Sequence, residues 1–98
     1  MISEDTHNKL LALGLHKKAN NNYYYKNHFE SFIFTFEDLY CCIYDFTIKN
    51  TNGELKIFHK SNVSITDENK LVDLMKDVIK RYKEISIELK KRELENDF

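Results

Sequence analysis

Apolar and polar residues alternate in short runs between residues 23 and 60, as they do in β-strands that bury one face. Aromatic and β-branched residues dominate these runs, and short polar breaks separate them. The pattern predicts four strands, at Tyr23–Lys26, Phe29–Phe36, Tyr40–Lys49 and Glu54–Lys60. Because the breaks are short, we expect consecutive strands to pair as an antiparallel meander.

The turns decide which side chains share a face of this sheet. Asn52-Gly53 favours a two-residue turn, which places Ile48 opposite Ile57. We expect another two-residue turn at Asn27-His28, and a three-residue turn at Glu37–Leu39, because a two-residue turn there would scatter apolar positions over both faces. With these turns one face is almost wholly apolar and carries Tyr23, Tyr25, Phe32, Phe34, Phe36, Tyr40, Cys42, Tyr44, Phe46, Ile48, Leu55 and Ile57. The opposite face is mixed, and its apolar members include Tyr24, Ile33, Ile43 and Phe58.

One helix is predicted before the strands in the sequence and one after them. The first spans residues 4–13, with Ser3 as N-cap and Gly14 ending it in a Schellman motif. The second begins after Thr66 as the cap and runs from Asp67 to about residue 95. Its apolar positions follow spacings of four and three, at Leu71, Met75, Val78, Tyr82, Ile85 and Leu89. The fold class is therefore α+β, in the order α-β-β-β-β-α, with both helices covering the aromatic face.

The predicted C-terminal helix is longer than the predicted strands. It would measure about 43 Å at about 1.5 Å per residue, whereas an eight-residue strand reaches about 27 Å at about 3.3 Å per residue. Its second half is therefore expected to extend beyond the sheet. The apolar residues of that half would then need another partner, and they are Ile85, Ile87, Leu89, Leu94 and Phe98.

The size and composition indicate one folded domain, 1–98, with 90–98 as a frayed helical tail. The net charge of -1 gives no general excess of basic residues for nucleic-acid binding. No apolar run is long enough to span a bilayer and the N-terminus lacks the features of a signal peptide, so we expect a cytoplasmic protein.

The chain offers little catalytic chemistry. Asp45, Glu54 and Lys56 resemble the D…ExK pattern of metal-dependent nucleases, but the Asn52-Gly53 turn would separate the two carboxylates by about 20 Å. Cys41 or Cys42 could act as a thiol nucleophile with His28 or His59 as its base, but alternation sends the two cysteines to opposite faces and Cys42 suits a small core position. Two glycines cannot form a phosphate-binding loop, and the four histidines lack zinc-site spacing. We therefore expect neither a cofactor nor a bound metal.

The C-terminal helix carries the clearest candidate surface. Basic residues outnumber acidic ones from Lys76 to Arg92. Four lysines share one stripe and could meet phosphates or an acidic protein surface, although a solvated helix face is the simpler interpretation. Together with the apolar residues beside it, the predicted partner-binding set is Lys76, Lys80, Lys83, Lys90, Tyr82, Ile85 and Leu89.

The segments KANNNYYYKN and KNTNGELKIF show a bias toward Asn, Lys, Ile and Tyr that runs through the chain. In size, composition and lack of motifs the chain resembles the small proteins of phages and mobile elements of AT-rich bacteria, including the anti-CRISPR proteins. That resemblance implies a stoichiometric, non-catalytic inhibitor that binds a bacterial CRISPR effector or its guide RNA, in an RNA-targeting system, within the cytoplasm of a bacterial host. Anti-CRISPR proteins share no motif, so no residue role is carried over.

Two other hypotheses stay open at this stage. A homodimeric structural or regulatory module would pair two copies through Tyr82, Ile85 and Leu89 of the C-terminal helix. A small metal-dependent nuclease built on Asp45 is the third hypothesis.

Overall fold

A computed structural model describes residues 2–96 of the chain, and side-chain environments as far as residue 92. Its elements are, in chain order, α1 (Glu4–Ala12), β1 (Leu15–Lys17), β2 (Tyr23–Tyr25), β3 (Ile33–Phe36), β4 (Leu39–Thr51), β5 (Glu54–Ile65) and α2 (Glu68–Asn96). The strands form one antiparallel sheet in the order β1-β2-β3-β4-β5. The α+β class is confirmed, with five strands where the sequence predicts four. Phe98 and the side chain of Leu94 lie outside the described residues.

Side chains and a glycine define the helix ends. Ser3 caps α1, and its hydroxyl accepts a hydrogen bond of 3.3 Å from the N–H of Thr6. Gly14 has φ +99°, and its N–H donates to the carbonyl of Leu11 at 3.0 Å, as expected for a left-handed helix ending. The cap of α2 is Asp67, one residue later than predicted. Its carboxylate accepts from the N–H of Asn69 at 2.8 Å.

Strand β1 is an addition to the four predicted strands. Leu15–Lys17 pairs with Tyr23–Tyr25, and Leu15 lies opposite Tyr25. A tight turn over residues 18–22 joins them, in which Asn21 takes φ +64°. Asn tolerates this left-handed conformation because its short side chain can bond the local backbone. The consecutive asparagines thus form the hairpin turn between β1 and β2.

The turn between β3 and β4 corrects one prediction. Phe36 pairs directly with Leu39, so the turn has two residues, Glu37 and Asp38, with Glu37 at φ +52°. Relative to the predicted three-residue turn, the register shifts by one residue and Ile33 takes the place beside Cys42 that was predicted for Phe34. Ile33 is therefore fully buried. Phe34 and Phe36, predicted to lie in the core, are 49% and 61% exposed.

The connection from β2 to β3 also differs from the prediction. Tyr23 pairs with Ile33, and no two-residue turn forms at Asn27-His28. Residues 26–32 instead form a longer loop, in which Phe32 is buried in the core while Phe29 is 97% exposed. This loop brings His28 against α2, where its ring contacts Tyr82.

Strands β4 and β5 form a two-stranded ribbon that is much longer than predicted. The Asn52-Gly53 turn and the pairing of Ile48 with Ile57 are confirmed. The ladder skips Tyr44 and Lys60, so each strand bulges once. This bulge turns Tyr44 outward, although it was predicted to be in the core, and buries Ile43, which was predicted on the mixed face.

The ribbon removes the overhang predicted for the C-terminal helix. Its 13-residue strand would reach about 43 Å, and the 29 residues of α2 span about the same length. Ile85 and Leu89 accordingly pack against the core rather than extending beyond the sheet. The molecule measures 50 × 21 × 20 Å. Within residues 2–96, no helix combines the length and apolar character needed to cross a bilayer.

Candidate functional site

The predicted lysine stripe lies on the accessible side of α2. Lys76, Lys80, Lys83 and Lys90 are all exposed. Spacings of four, three and seven residues place them within about a third of the helix circumference. Ile87 lies in the same sector and is 56% exposed. It is thus an apolar side chain on a helix surface that is otherwise polar. We call these four lysines together with Ile87 the basic side of α2.

Exposed acidic residues lie next to the basic side of α2 rather than within it. Asp73, Glu84 and Glu88 are exposed beside the basic side, on the sector next to it. The ion pairs found among the described residues join Asp5 with Lys9 and Asp77 with Arg81, a Glu30 oxygen lies 3.8 Å from Nε2 of His59, and none of these contacts uses a lysine of the basic side. Those ammonium groups therefore remain available to an anionic ligand.

Arg81 fixes the rotation of α2 on the sheet. Its guanidinium donates to the backbone carbonyl of Tyr44 at 2.7 Å and to the Asp77 carboxylate at 3.1 Å. It also lies over the rings of Tyr44 and Phe46, at 5.7 and 5.5 Å from their centroids. Because Lys83 lies on the opposite flank of the helix from Arg81, this anchor directs the basic side away from β4.

The apolar members of the predicted partner-binding set lie on the inner side of α2. Tyr82 is only 2% exposed, and Ile85 and Leu89 are partly buried against the core. None of the three is therefore free to pair with the helix of a second copy, as the homodimer hypothesis requires. The structure thus divides the predicted set into accessible lysines and core residues.

Tyr82 joins the loop of residues 26–32 to the helix. Its hydroxyl shares a 2.7 Å hydrogen bond with Nε2 of His28, and its ring meets Tyr25 edge-on at 5.2 Å. Burial, with a smaller contribution from Lys26, lowers the pKa of His28, and burial raises the pKa of Tyr82. Both groups are therefore neutral near pH 7, as suits a hydrogen bond within a core.

A groove of about 910 Å³ lies between this loop and β5. Residues 26–30 form one wall and residues 54–59 the other, with Tyr82 between them. Six consecutive residues of a strand can line a groove only if it runs along the strand edge, because their side chains alternate between the two faces. Sequence reasoning missed this groove because it depends on the path of the loop, for which the sequence carries no signal.

The candidate catalytic groups do not come together. Asp45 pairs with Ser61 and Glu54 with Thr51, so the two carboxylates stay six residues apart along β4. Cys42 is buried, which raises the pKa of its thiol to about 12, and Cys41 is half-buried. No group of three or more His, Cys, Asp or Glu side chains among residues 2–92 is placed to hold a metal ion.

Comparison of the chain with protein-family models, with curated proteins and with solved structures finds no match. The fold and the surface described above are therefore the basis for a functional proposal.

Proposed function

We propose that this protein is a non-catalytic binding protein that uses the basic side of α2 to bind a polyanionic surface. The observation that carries the proposal is the group of four exposed lysines around the exposed Ile87, with no ion-pair partner among the described residues. Lysine ammonium groups act as point charges toward phosphates. The apolar Ile87 would add contact with a base or a protein side chain at the centre of that surface.

The target we propose is a bacterial RNA-guided effector of an RNA-targeting CRISPR system, in the cytoplasm of the host. The resemblance of the chain to anti-CRISPR proteins supports this choice, together with a surface suited to the phosphates of a guide RNA. The protein would inhibit stoichiometrically, by covering guide RNA or the protein surface next to it. No chemical step is required of it.

The experiment is a titration of guide-directed RNA cleavage by a panel of purified RNA-targeting effectors loaded with guide RNA. We expect one effector to lose activity linearly up to an equimolar endpoint. The variant Lys76→Glu, Lys80→Glu, Lys83→Glu should bind roughly 100-fold more weakly, because several phosphate contacts become repulsive. The wild-type affinity should also fall steeply as the salt concentration rises.

The control variant reverses the same number of charges on the neighbouring acidic sector, at Asp73, Glu84 and Glu88. It should inhibit at least as well as the wild type, because it adds positive charge next to the basic side. Equal inhibition by the lysine variant would refute the basic side as the contact. Full activity of every effector at a large excess of the wild-type protein would refute the function.

A further inference from the structure

Strand β5 forms one edge of the sheet and has β4 as its single neighbour. It is 12 residues long, contains no proline and is mostly exposed. A long edge strand presents a row of unpaired backbone N–H and C=O groups, which act as a template for another strand. The groove described above runs along the first half of this edge.

The hairpin geometry identifies which backbone groups face outward. In a two-residue turn the flanking pair, here Thr51 with Glu54, exchanges hydrogen bonds, and the next pair does not. The alternation continues along the ladder. The N–H and C=O groups of Leu55, Ile57 and His59 therefore point away from β4, toward the groove.

Aromatic side chains border this edge. Phe29 on the opposite wall of the groove is 97% exposed, and Phe58 on β5 is 45% exposed. Two exposed phenylalanines beside an unpaired strand edge form an apolar rim of the kind found at protein contacts. A strand laid along β5 would cover part of both.

We propose that a second copy of this chain occupies the edge, with β5 pairing antiparallel to β5 about a two-fold axis at Ile57. Leu55 then pairs with His59 of the second copy, and roughly six backbone hydrogen bonds form. Glu54 lies opposite Lys60 of the second copy, at the bulge of β5, and Lys56 lies opposite Phe58 of the second copy. Each of these unlike pairs occurs twice because the interface is symmetric. The partner is thus recognised by charge complementarity within one strand sequence.

The lysines also select this register. The outward-facing residues are spaced by two, so the neighbouring symmetric registers differ by two residues. If Ile57 lay opposite His59 of the second copy, Lys56 would oppose Lys60. If Ile57 lay opposite Leu55, Lys56 would oppose Lys56. Like charges directly opposite each other destabilise a strand pair, so both registers are disfavoured.

The interface uses a different surface from the basic side of α2 and does not depend on the proposed function. Its test is the mass of the full-length protein by light scattering, over concentrations from about 10 μM to about 1 mM. Wild-type protein should form dimers within this range. Glu54→Lys and Lys60→Glu should each weaken dimerisation about tenfold, because each places like charges opposite each other twice. The combined variant should restore the wild-type dissociation constant, since it swaps the two charges.

Glu84→Lys makes the same charge change on α2 as Glu54→Lys does on β5, and it should leave dimerisation unchanged. Amide exchange gives a second readout, in which the N–H groups of Leu55, Ile57 and His59 exchange more slowly as the concentration rises. A wild-type protein that stays monomeric up to about 1 mM would overturn the proposal. The proposal would be overturned equally by a dimer whose dissociation constant is unchanged in both single variants. It would also be overturned if the combined variant did not restore the wild-type dissociation constant.

Discussion

The hydrogen bond between Tyr82 and His28 gives a direct test of whether Tyr82 is part of the core. Tyr82→Phe removes the hydroxyl that lies 2.7 Å from Nε2 of His28 and keeps the ring, with its edge-on contacts to Tyr25 and His28. A neutral hydrogen bond contributes about 1 kcal/mol net, and the half-buried imidazole nitrogen left without its partner adds to the loss. We expect the free energy of unfolding to fall by about 1–2 kcal/mol.

The measurement is urea unfolding followed by circular dichroism at about pH 8, read as a shift in the midpoint at constant slope. Tyr44→Phe is the matched control, since Tyr44 is 52% exposed, and its effect should stay within about 0.5 kcal/mol. The double variant with His28→Phe should lose less than the sum of the single variants, because both remove one interaction. A Tyr82→Phe variant that is as stable as the wild-type protein would refute a stabilising role for this hydrogen bond.

The same pair predicts a pH dependence. Burial lowers the pKa of His28 in the folded state below its usual value of 6.5, so the unfolded chain binds a proton more readily. The contribution of neutral His28 to folding stability is complete above the unfolded-state pKa of 6.5. It is lost as the pH falls from that pKa through the lower folded-state pKa. His28→Phe should remove this part of the pH profile of the wild-type protein.

Two further outcomes are expected. At about pH 8, a thiol reagent should modify Cys41 alone in the native protein and both cysteines in denaturant, because Cys42 is fully buried with a pKa of about 12; rapid native labelling of Cys42 would contradict this burial. The pKa of Glu68 is lowered, chiefly by the hydrogen bond of 2.7 Å that its carboxylate accepts from the N–H of Ser3. The contribution of this carboxylate to folding stability is therefore present above its unfolded-state pKa and is lost as the pH falls through its folded-state pKa. Glu68→Gln should reduce stability by less than about 1 kcal/mol at neutral pH and flatten the acid side of the urea-unfolding profile, and superimposable profiles would count against the contact.

The elements with strong local signals were predictable from the sequence. Ser3 and Gly14 mark the ends of α1 by their own side-chain and backbone preferences, and Asn52-Gly53 specifies its turn. The inner side of α2 follows from apolar spacing alone, from Leu71 to Tyr82. In each case the information lies within a few neighbouring residues.

The errors arise where tertiary contacts override local preference. Glu37 adopts a left-handed conformation that its residue type does not favour, and this shifts the register of β3 by one residue. Polar residues after Lys60 continue β5, because pairing with β4 supplies the backbone hydrogen bonds that their propensities do not indicate. The resulting ribbon matches α2 in length, so Ile85 and Leu89, which were expected to need a partner, pack against the core, whereas Ile87 is exposed.

The same distinction applies to the candidate site. The lysines of the basic side are exposed as predicted, since a charged stripe opposite an apolar one can be identified from helical periodicity. The coverage of Ile85 and Leu89 within the chain was not predictable, because it depends on the length of the ribbon of β4 and β5.

The strand order has a consequence for how the chain folds. Every strand pairs with its neighbour in sequence, so the sheet can form by successive hairpin closures, each over a short loop. The ribbon of β4 and β5 combines a two-residue turn with the longest ladder, and it suits a nucleus that zips outward from Asn52-Gly53. The contact between Ser3 and Glu68 spans 65 residues, so its closure costs more chain entropy than any of the hairpins and is expected to follow them. Such a sheet has a lower contact order than one whose strands pair out of sequence order, and it is expected to fold rapidly for its strand content.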